Sequence, residues 1–328
     1  MRTLAQLFCL LVIYATTLPA QAEEEVPFEF RSGQTDQFAG ATCILRVSTP
    51  AVQKPHSIVW QLTSESRTLA QGNTVLQPVE NHASDSTFEL KTPETVNGVV
   101  LNATLRCHLE GSAAEVVLPL RLRGPNPFEH VRETLDKNKI ALYDPVGKTA
   151  EAFQGLEVTV RSVTTLQKVD EAPLVIIGEG VEWNDRLTER ADELARHGKL
   201  VLVLRPQDES IWPLKLSAEN LSQWKFVSLA ESGLVPQKLD IEFWRTEANT
   251  RAGWELSISR QKLQLVPQNG PQVWEISEYH TVNKGRCLFI GFPLIARWNS
   301  SPVPRELLAE ILISHLTPLS AAAAAETH

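Results

Sequence analysis

Four carboxylates follow two apolar runs in the second half of the chain, and their positions are suited to catalysis. They are Asp144, Glu179, Glu182 and Asp185. The first follows residues 139–143 and the others follow residues 174–177, and both runs are expected to be parallel strands. Ligands of open α/β sheets bind beyond the carboxyl ends of such strands, where paired carboxylates can hydrolyse a glycoside. The alternative is structural: the carboxylates bind loop backbone, and Asn184 with its neighbour caps the next helix. We prefer this alternative and expect no catalytic residue.

The strand at residues 200–204 ends where an α/β enzyme of this kind would carry its nucleophile. It runs directly into Arg205 and Pro206, which supply neither a thiol nor a hydroxyl in a glycine-flanked turn. The missing nucleophile favours a binding protein over an enzyme. The residues expected to contact a ligand in the crevice are Asp144, Gly178, Glu179, Trp183, Arg205 and Trp212.

Phosphate and metal sites find little support in the sequence. Gly147-Lys148-Thr149 opens a helix after a strand, as in a phosphate loop, but that motif requires glycine where Leu142 stands. We therefore expect a plain helix start with Lys148 exposed. The eight histidines are scattered and lack the spacing of zinc sites. We expect no metal and no cofactor.

Five of the eight tryptophans lie in or near expected loops of the second half. They are Trp183, Trp212, Trp244, Trp254 and Trp298. For any single one of them burial in the core is favoured, but the five together leave open a surface patch. An exposed indole there can stack on a sugar ring or anchor a protein partner. Trp224 and Trp274 alternate with apolar neighbours, so we expect both in the core.

The first 22 residues have the pattern of a secretory signal peptide. Arg2 precedes an apolar stretch from Leu7 to Ala20, and a small-x-small cleavage site ends at Ala22. The stretch is shorter than the roughly 20 apolar residues that span a bilayer, and no later segment is long enough. We expect cleavage after Ala22 and export to the periplasm or beyond. The net charge of −8, without a Lys/Arg block, argues against nucleic acid as a partner.

Three cysteines follow the signal peptide, and two of them lie in alternating stretches typical of half-buried strands. Cys43 and Cys107 flank Trp60, and this order over about 65 residues resembles an immunoglobulin-type sandwich. The resemblance implies a disulfide between Cys43 and Cys107, and two separate buried thiols are the alternative. Leu105 replaces the tyrosine that many antibody-like domains carry two residues before the second cysteine, so we call the domain only Ig-like. Cys287 lies in an apolar strand and is expected to be a buried thiol.

A break at Gly124-Pro125-Asn126-Pro127 separates two sequence patterns. Residues 23–124 contain short alternating strands, which predict an Ig-like β-sandwich. Residues 125–318 alternate apolar strands with helices, which predicts an α/β domain with a mainly parallel sheet. Residues 319–328 are rich in alanine, and we expect a disordered tail. In the second domain we expect helices at 128–138, 148–153, 185–197 and 305–316, and strands at 139–143, 156–163, 174–177, 200–204 and 287–290.

Two parts of the second domain resemble the class I glutamine amidotransferase-like superfamily. They are Pro173 to Gly180 with the helix and strand ending at Leu204, and Lys284 to Pro293 before the last helix. The resemblance covers roughly residues 128–317 and implies a flavodoxin-like fold. In that family a cysteine at a strand-to-helix elbow attacks the glutamine amide, assisted by a histidine and a carboxylate. Arg205 stands at the cysteine's place and no His-x-Glu follows the last strand, so the resemblance argues against the activity.

Together these patterns predict a multidomain exported protein, an Ig-like β-sandwich followed by a flavodoxin-like, amidotransferase-like α/β domain. The predicted function is non-catalytic binding or scaffolding in the bacterial envelope. The crevice or a tryptophan patch would bind a carbohydrate or an envelope protein. The alternative function is a carbohydrate-active hydrolase that uses the four carboxylates.

Overall fold

The computed structural model describes most of both expected domains. The described residues are 28–31, 35–48, 57–79, 82–110, 114–137, 139–169, 171–207, 224–227, 254–259, 262–267, 276–281, 285–291 and 293–325. The expected signal peptide, Trp212, Trp244 and Trp274 lie outside these residues. In the described part of the chain no helix is long and apolar enough to cross a membrane.

The described residues before the Gly-Pro break form nine strands in two sheets. The strands are β1 (Glu29–Phe30), β2 (Asp36–Phe38), β3 (Thr42–Ser48), β4 (Ser57–Ser64), β5 (Arg67–Val75), β6 (Gln77–Val79), β7 (His82–Lys91), β8 (Val100–Leu109) and β9 (Glu115–Arg123). One sheet has the order β1-β3-β7-β6 and the other the order β2-β9-β8-β4-β5. β4 pairs antiparallel with both β5 and β8, whereas β2 pairs parallel with β9. The expected run of short strands is therefore present.

Strict alternation explains why these segments form strands. In β3 the side chains of Cys43, Leu45 and Val47 are buried, and the residues between them are exposed. Successive side chains of a strand point to opposite faces, so this pattern places one face in a core and the other in solvent. Phe88 of β7 and Trp60 of β4 meet edge to face, with ring centroids 6.3 Å apart. The two sheets thus share an aromatic core.

The described residues after the break form a seven-stranded sheet, a separate pair of strands and four α-helices. The strands are β10 (Ala141–Tyr143), β11 (Arg161–Val163), β12 (Leu174–Ile177), β13 (Leu200–Val203), β14 (Trp224–Val227), β15 (Trp254–Ser259), β16 (Lys262–Pro267), β17 (Ile276–His280) and β18 (Arg286–Ile290). The helices are α1 (Arg132–Lys137), α2 (Lys148–Gln154), α3 (Asp185–Arg196) and α4 (Val303–Ala325). The sheet order is β11-β10-β12-β13-β18-β17-β14, and β15 pairs with β16. The first five strands run parallel, and β17 and β14 extend the sheet by antiparallel pairing.

The central strands of this sheet are buried along their whole length because both faces are covered. Leu174 and Ile176 of β12 belong to a core cluster that also contains Leu307 of α4. Val175 and Ile177 point the other way, into a cluster that includes residues of α3. A continuous apolar run is the sequence signature of such a two-sided strand. The expected mainly parallel sheet is confirmed.

Several predicted boundaries needed correction. The first expected helix is a 3-10 turn at Glu129–Val131 followed by the short α1, and the expected strand 156–163 is reduced to β11. The predicted disordered tail was wrong as far as Ala325, because α4 continues to that residue. Alanine has the highest helix propensity of all residues, so an alanine-rich segment that follows a helix can extend it.

The described chain divides into two compact units. The first takes Ile44–Leu90, Thr104–Pro119 and the described residues before position 32, and the second takes Ser32–Cys43, Lys91–Ala103 and the chain from Leu120 onwards. The expected boundary at 124/125 therefore lies inside the second unit.

The second unit contains a buried ion cluster. Asp36, whose side chain is 1% exposed, accepts hydrogen bonds from Arg121 and Arg123. Arg123 also lies 3.6 Å from Glu306 of α4. Because these four residues come from β2, β9 and α4, the cluster ties distant parts of the chain within one unit.

Candidate functional site

The candidate site lies at the carboxyl edge of the parallel sheet, where the strand order reverses. β10 has β11 on one side and β12 on the other, so the chain moves outward in opposite directions from this point. Asp144 follows β10 directly, and Gly178 follows β12. The amide of Gly178 donates to the carbonyl of Tyr143, the last residue of β10, over 2.9 Å. The structure therefore places two of the predicted crevice residues side by side.

The Asp144 carboxylate accepts a hydrogen bond from the first turn of helix α2. Its Oδ2 accepts a hydrogen bond from the amide of Ala150 over 2.9 Å. Its Oδ1 is buried and has no hydrogen-bond partner among the described residues. A Cβ on Gly178 would lie only 2.7 Å from that Oδ1. Glycine is therefore required at position 178 so that the two loops can approach closely.

Glu179 has both carboxylate oxygens engaged with backbone. Oε2 accepts from the amide of Ile295 over 2.7 Å, and Oε1 accepts from the amide of Ala296 over 2.9 Å. The side chain is buried, since the residue is only 9% exposed. Its own amide donates to Thr149 Oγ1 over 3.0 Å. Glu179 thus connects the end of β12 to the turn after β18 and to the start of α2.

The electrostatic environment of Glu179 contains opposing effects. Burial raises the pKa of Glu179 above the ordinary value of 4.5, and the backbone donors and the nearby Arg205 charge oppose that rise. Burial also lowers the pKa of Arg205, which the Glu179 charge opposes. The two groups therefore stabilise each other's charged form in a site that water reaches poorly.

Arg205 comes shortly after β13, at the carboxyl edge of the sheet. Its carbonyl accepts a hydrogen bond from the amide of Gly180 over 2.8 Å. Gly180 has a φ of +78°, a conformation that glycine adopts without steric cost. Arg205 is thus joined to the loop that carries Glu179 through its backbone as well as through charge.

The other two candidate carboxylates do not join this group. Glu182 is exposed in the segment that leads into α3, and Asp185 is the exposed first residue of that helix. Asn184 caps that helix, because its side chain accepts from the amide of Leu187 over 3.0 Å. The predicted helix cap at this position is confirmed for Asn184.

The loop tryptophans that the structure describes with their side chains are buried. Trp183 is 3% exposed, and its indole N–H donates to Thr188 Oγ1 over 2.9 Å. Trp298 is 6% exposed and stacks on Phe128, with ring centroids 6.3 Å apart. Burial, which the sequence favoured for any single tryptophan, is found for these two, because apolar neighbours distant in sequence cover them. Trp254 is the first residue of β15.

The Gly-Lys-Thr segment is a helix start. Helix α2 begins at Lys148, which is exposed, and Gly147 precedes it with a φ of +86°. Thr149 is fully buried and its hydroxyl accepts from the Glu179 amide. The expected exposed lysine is confirmed, whereas the sequence analysis missed the role of Thr149. Its position at the first turn of a helix after a buried strand was the only available signal.

The three described cysteines are buried, and the structure joins none of them to another. Burial raises the pKa of both Cys43 and Cys107 to about 12, and it raises that of Cys287 further. Cys287 matches the sequence expectation of a buried thiol and approaches the Ala191 carbonyl at 3.5 Å. The disulfide between Cys43 and Cys107 stays a prediction. Among the described residues no cluster of three or more metal-binding side chains is present.

Comparison with known proteins gives no family for this chain. No family model matches it, and no curated protein matches it. A cycloisomaltooligosaccharide glucanotransferase from Paenibacillus, complexed with cycloisomaltoheptaose, matches 54% of this chain and 27% of its own at 4% identity and a TM-score of 0.23. A sialyltransferase from Photobacterium damsela matches 57% of this chain and 36% of its own at 12% identity and a TM-score of 0.18. A β-glucuronidase from Parabacteroides merdae matches 54% of this chain and 24% of its own at 9% identity and a TM-score of 0.19. TM-scores this low carry no argument about fold or function.

Proposed function

We propose that this protein is a non-catalytic binding or scaffolding protein of the bacterial envelope, exported with its signal peptide removed. The observation that carries the proposal is the engagement of Glu179. Both of its oxygens accept backbone hydrogen bonds from Ile295 and Ala296, which hold the carboxylate against the chain's own backbone and support a structural role. The arginine that replaces the family's nucleophile stabilises this arrangement. The crevice would bind its carbohydrate or protein partner without chemical change.

The order of the parallel strands supports a flavodoxin-like domain. Numbered along the chain, β11-β10-β12-β13-β18 has the order 2-1-3-4-5, which is the flavodoxin-like order. Ligands of that fold bind at the switch point between its first and third strands, and Asp144 and Gly178 lie at the corresponding ends of β10 and β12. The binding site of the second domain is therefore proposed at this edge.

The sheets of the first domain support an Ig-like module. One sheet, β1-β3-β7-β6, has the connectivity of the ABED sheet of such domains, and β9-β8-β4-β5 has that of the opposite sheet. Cys43 lies on β3 and Cys107 on β8, and Trp60 of β4 is in register with Cys107. These positions are those of the two sheet-bridging cysteines and the core tryptophan of the fold. The proposed disulfide follows from this likeness.

The proposal is tested by separating binding from turnover. The full-length protein and its Glu179→Gln variant are incubated with chromogenic glycosides and soluble polysaccharides, and released reducing ends are measured. We expect no turnover by either protein. Glu182→Gln is the matched control, since Glu182 is an exposed carboxylate in the same loop region. Turnover that Glu179→Gln abolishes and Glu182→Gln preserves would refute the non-catalytic proposal.

Binding at the crevice is tested with an Arg205→Ala variant. A thermal-shift screen of the full-length protein against glycans and cell-wall fragments should reveal a ligand that raises the melting temperature, because a ligand that binds only the folded state stabilises it. We expect Arg205→Ala to lose that shift. A shift that survives unchanged in Arg205→Ala would place the ligand elsewhere.

A further inference from the structure

The outer face of the five-stranded sheet carries a groove that the crevice proposal does not use. It has a volume of about 370 Å³ and lies within the first compact unit. Its polar lining consists of Gln61, Gln71, Asn73, Arg106, His108 and Glu115. We call this surface the face groove. These residues come from β5, β4, β8 and β9, which are consecutive strands of the sheet.

The strand register arranges the polar side chains in two rows across the sheet. In the first row Gln71 pairs with Gln61, which pairs with Arg106. Arg106 donates to Glu115 of β9 over 2.7 Å and so extends the row to a fourth strand. Because strands lie about 4.8 Å apart, four strands give a row about 14 Å long.

The second row lies two residues further along the strands, about 7 Å from the first. It consists of Asn73, Val59 and His108, which are in register across β5, β4 and β8. Val59 supplies an apolar patch in the middle of this row. The groove therefore combines planar polar groups with one apolar contact over an area that several units of an extended chain can occupy.

The charges in the face groove balance. Arg106 and Glu115 form an ion pair, with side chains 48% and 40% exposed. The remaining polar groups include three amides, each of which both donates and accepts hydrogen bonds. A ligand that is neutral and rich in hydroxyl groups also donates and accepts at each group, so it matches this lining. A polyanion would require unpaired cations, and the ion pair leaves the groove's arginine neutralised by its neighbour.

The floor of the groove is held rigid by the core beneath it. Ile58 and Leu62 alternate with the groove residues of β4 and are fully buried. The Trp60 ring lies against Gly72, where an added Cβ would be 2.9 Å from the ring. Gln61 also donates to Thr68 Oγ1 over 3.0 Å, which orients its amide. A surface that is already ordered loses little entropy on binding.

We propose that the face groove binds a neutral, hydroxyl-rich chain, an oligosaccharide, by hydrogen bonds from the two polar rows. The inference rests on the proposed binding function but places the carbohydrate on the first domain and leaves the crevice for another partner. An extended peptide fits less well, because peptides add to the edge of a sheet through backbone hydrogen bonds and this groove lies on a face.

The test is affinity electrophoresis of the full-length protein in native gels that contain neutral soluble polysaccharides. The probes are xylan, mannan, dextran and hydroxyethyl cellulose, with polygalacturonate as an anionic probe. The variant is Gln71→Ala/Asn73→Ala, whose side chains lie on the edge strand β5. The control is Arg67→Ala, an exposed residue of the same strand outside the groove. Circular dichroism melts of all the proteins verify that the variants fold.

We expect at least one neutral polysaccharide to retard the protein, and we expect the double variant to bind it about tenfold more weakly, since it removes two amide contacts. Arg67→Ala should match the wild type. Three results would each overturn the inference: no retardation by any neutral probe, equal retardation of the double variant, or retardation by the anionic probe only. If the polysaccharide retards the double variant but no longer retards Arg205→Ala, binding at the face groove is refuted and binding at the crevice is supported. If no neutral polysaccharide retards the protein, but a ligand raises its melting temperature and Arg205→Ala removes that effect, the face groove is refuted and the proposed function is still supported.

Discussion

Replacing Glu179 tests whether this carboxylate is a structural link or a chemical group. In Glu179→Ala the buried amide of Ile295 loses the carboxylate oxygen that accepts its hydrogen bond, and an unsatisfied buried donor costs about 1–3 kcal/mol. Ala296 is exposed, so water can replace the acceptor of its amide. Arg205 also loses a neighbouring negative charge. We therefore expect a destabilisation of about 2–3 kcal/mol.

Glu179→Gln should cost less than the alanine variant. The side-chain carbonyl oxygen of the glutamine can still accept from the Ile295 amide. Its NH2 group then faces the Ala296 amide, and that exposed backbone amide can donate to water instead. The expected loss is about 1 kcal/mol. Urea unfolding measures the global effect, and hydrogen exchange measures the local one. A local loss of about 2 kcal/mol in Glu179→Ala corresponds to roughly 30-fold faster exchange around residues 294–296.

The pH dependence of the Glu179→Gln effect has a definite sign. Because burial raises the pKa of Glu179, the folded protein binds this proton more tightly than the unfolded chain does. The resulting stabilisation is complete below the ordinary value of 4.5 and is lost as the pH rises through the folded pKa. The wild type should therefore gain stability relative to Glu179→Gln as the pH falls from 7 towards 4.5. Equal stability of both proteins at every pH, together with unchanged exchange in Glu179→Ala, would refute the structural role.

Three further predictions concern other contacts. Gly178→Ala should lose about 1–3 kcal/mol, because its Cβ would lie 2.7 Å from Asp144 Oδ1, whereas Gly155→Ala should change stability little, since its nearest atoms are 3.7 Å away. Asp36→Asn should lose about 3–5 kcal/mol, because it removes the buried carboxylate that pairs with both Arg121 and Arg123. Cys287 should react with iodoacetamide only after unfolding, because its thiol is fully buried and burial raises its pKa.

These three predictions have simple controls. The exposed ion pair between Glu133 and Lys137 provides the comparison for Asp36→Asn, and Glu133→Gln should leave the unfolding free energy nearly unchanged. Equal losses in the two variants would contradict the burial argument. Peptide mapping by mass spectrometry measures the labelling of Cys287, and rapid labelling of the native protein would contradict its burial. The same maps, from protein exported to an oxidising compartment, would show whether Cys43 and Cys107 are joined.

Regular periodicity allowed the sheet of the second domain to be predicted from the sequence. The runs Leu174–Ile177 and Leu200–Val203 are apolar at every position, and only a strand covered on both faces requires that pattern. The alternating pattern of Thr42–Ser48 indicated a half-buried strand for the same kind of reason. β15 and β16 pair with each other apart from the main sheet, and no local pattern distinguishes such a pair from strands that join the sheet.

The candidate site was predicted only in part. The sequence placed Asp144, Gly178 and Glu179 at one sheet edge, because parallel strands end together there. It did not show that both oxygens of Glu179 accept backbone hydrogen bonds, because the donating amides are 116 and 117 residues away in the sequence. The tryptophans show the same limit: Trp183 and Trp298 follow loop-like sequence, and their burial depends on residues from other elements.

The sequence by itself determined most of the strands and helices of this protein, and it showed that Arg205 and Pro206 stand where a nucleophile could follow β13. These properties depend only on the types and spacing of residues that are close together in the sequence. The hydrophobic period and the turn-forming residues reveal them directly. Only the tertiary structure decided which carboxylate is free, which indole is covered, and that seven side chains from four strands form two rows on one face. Each of these depends on contacts between segments far apart in the chain, and a local pattern carries no information about which distant group will satisfy a side chain.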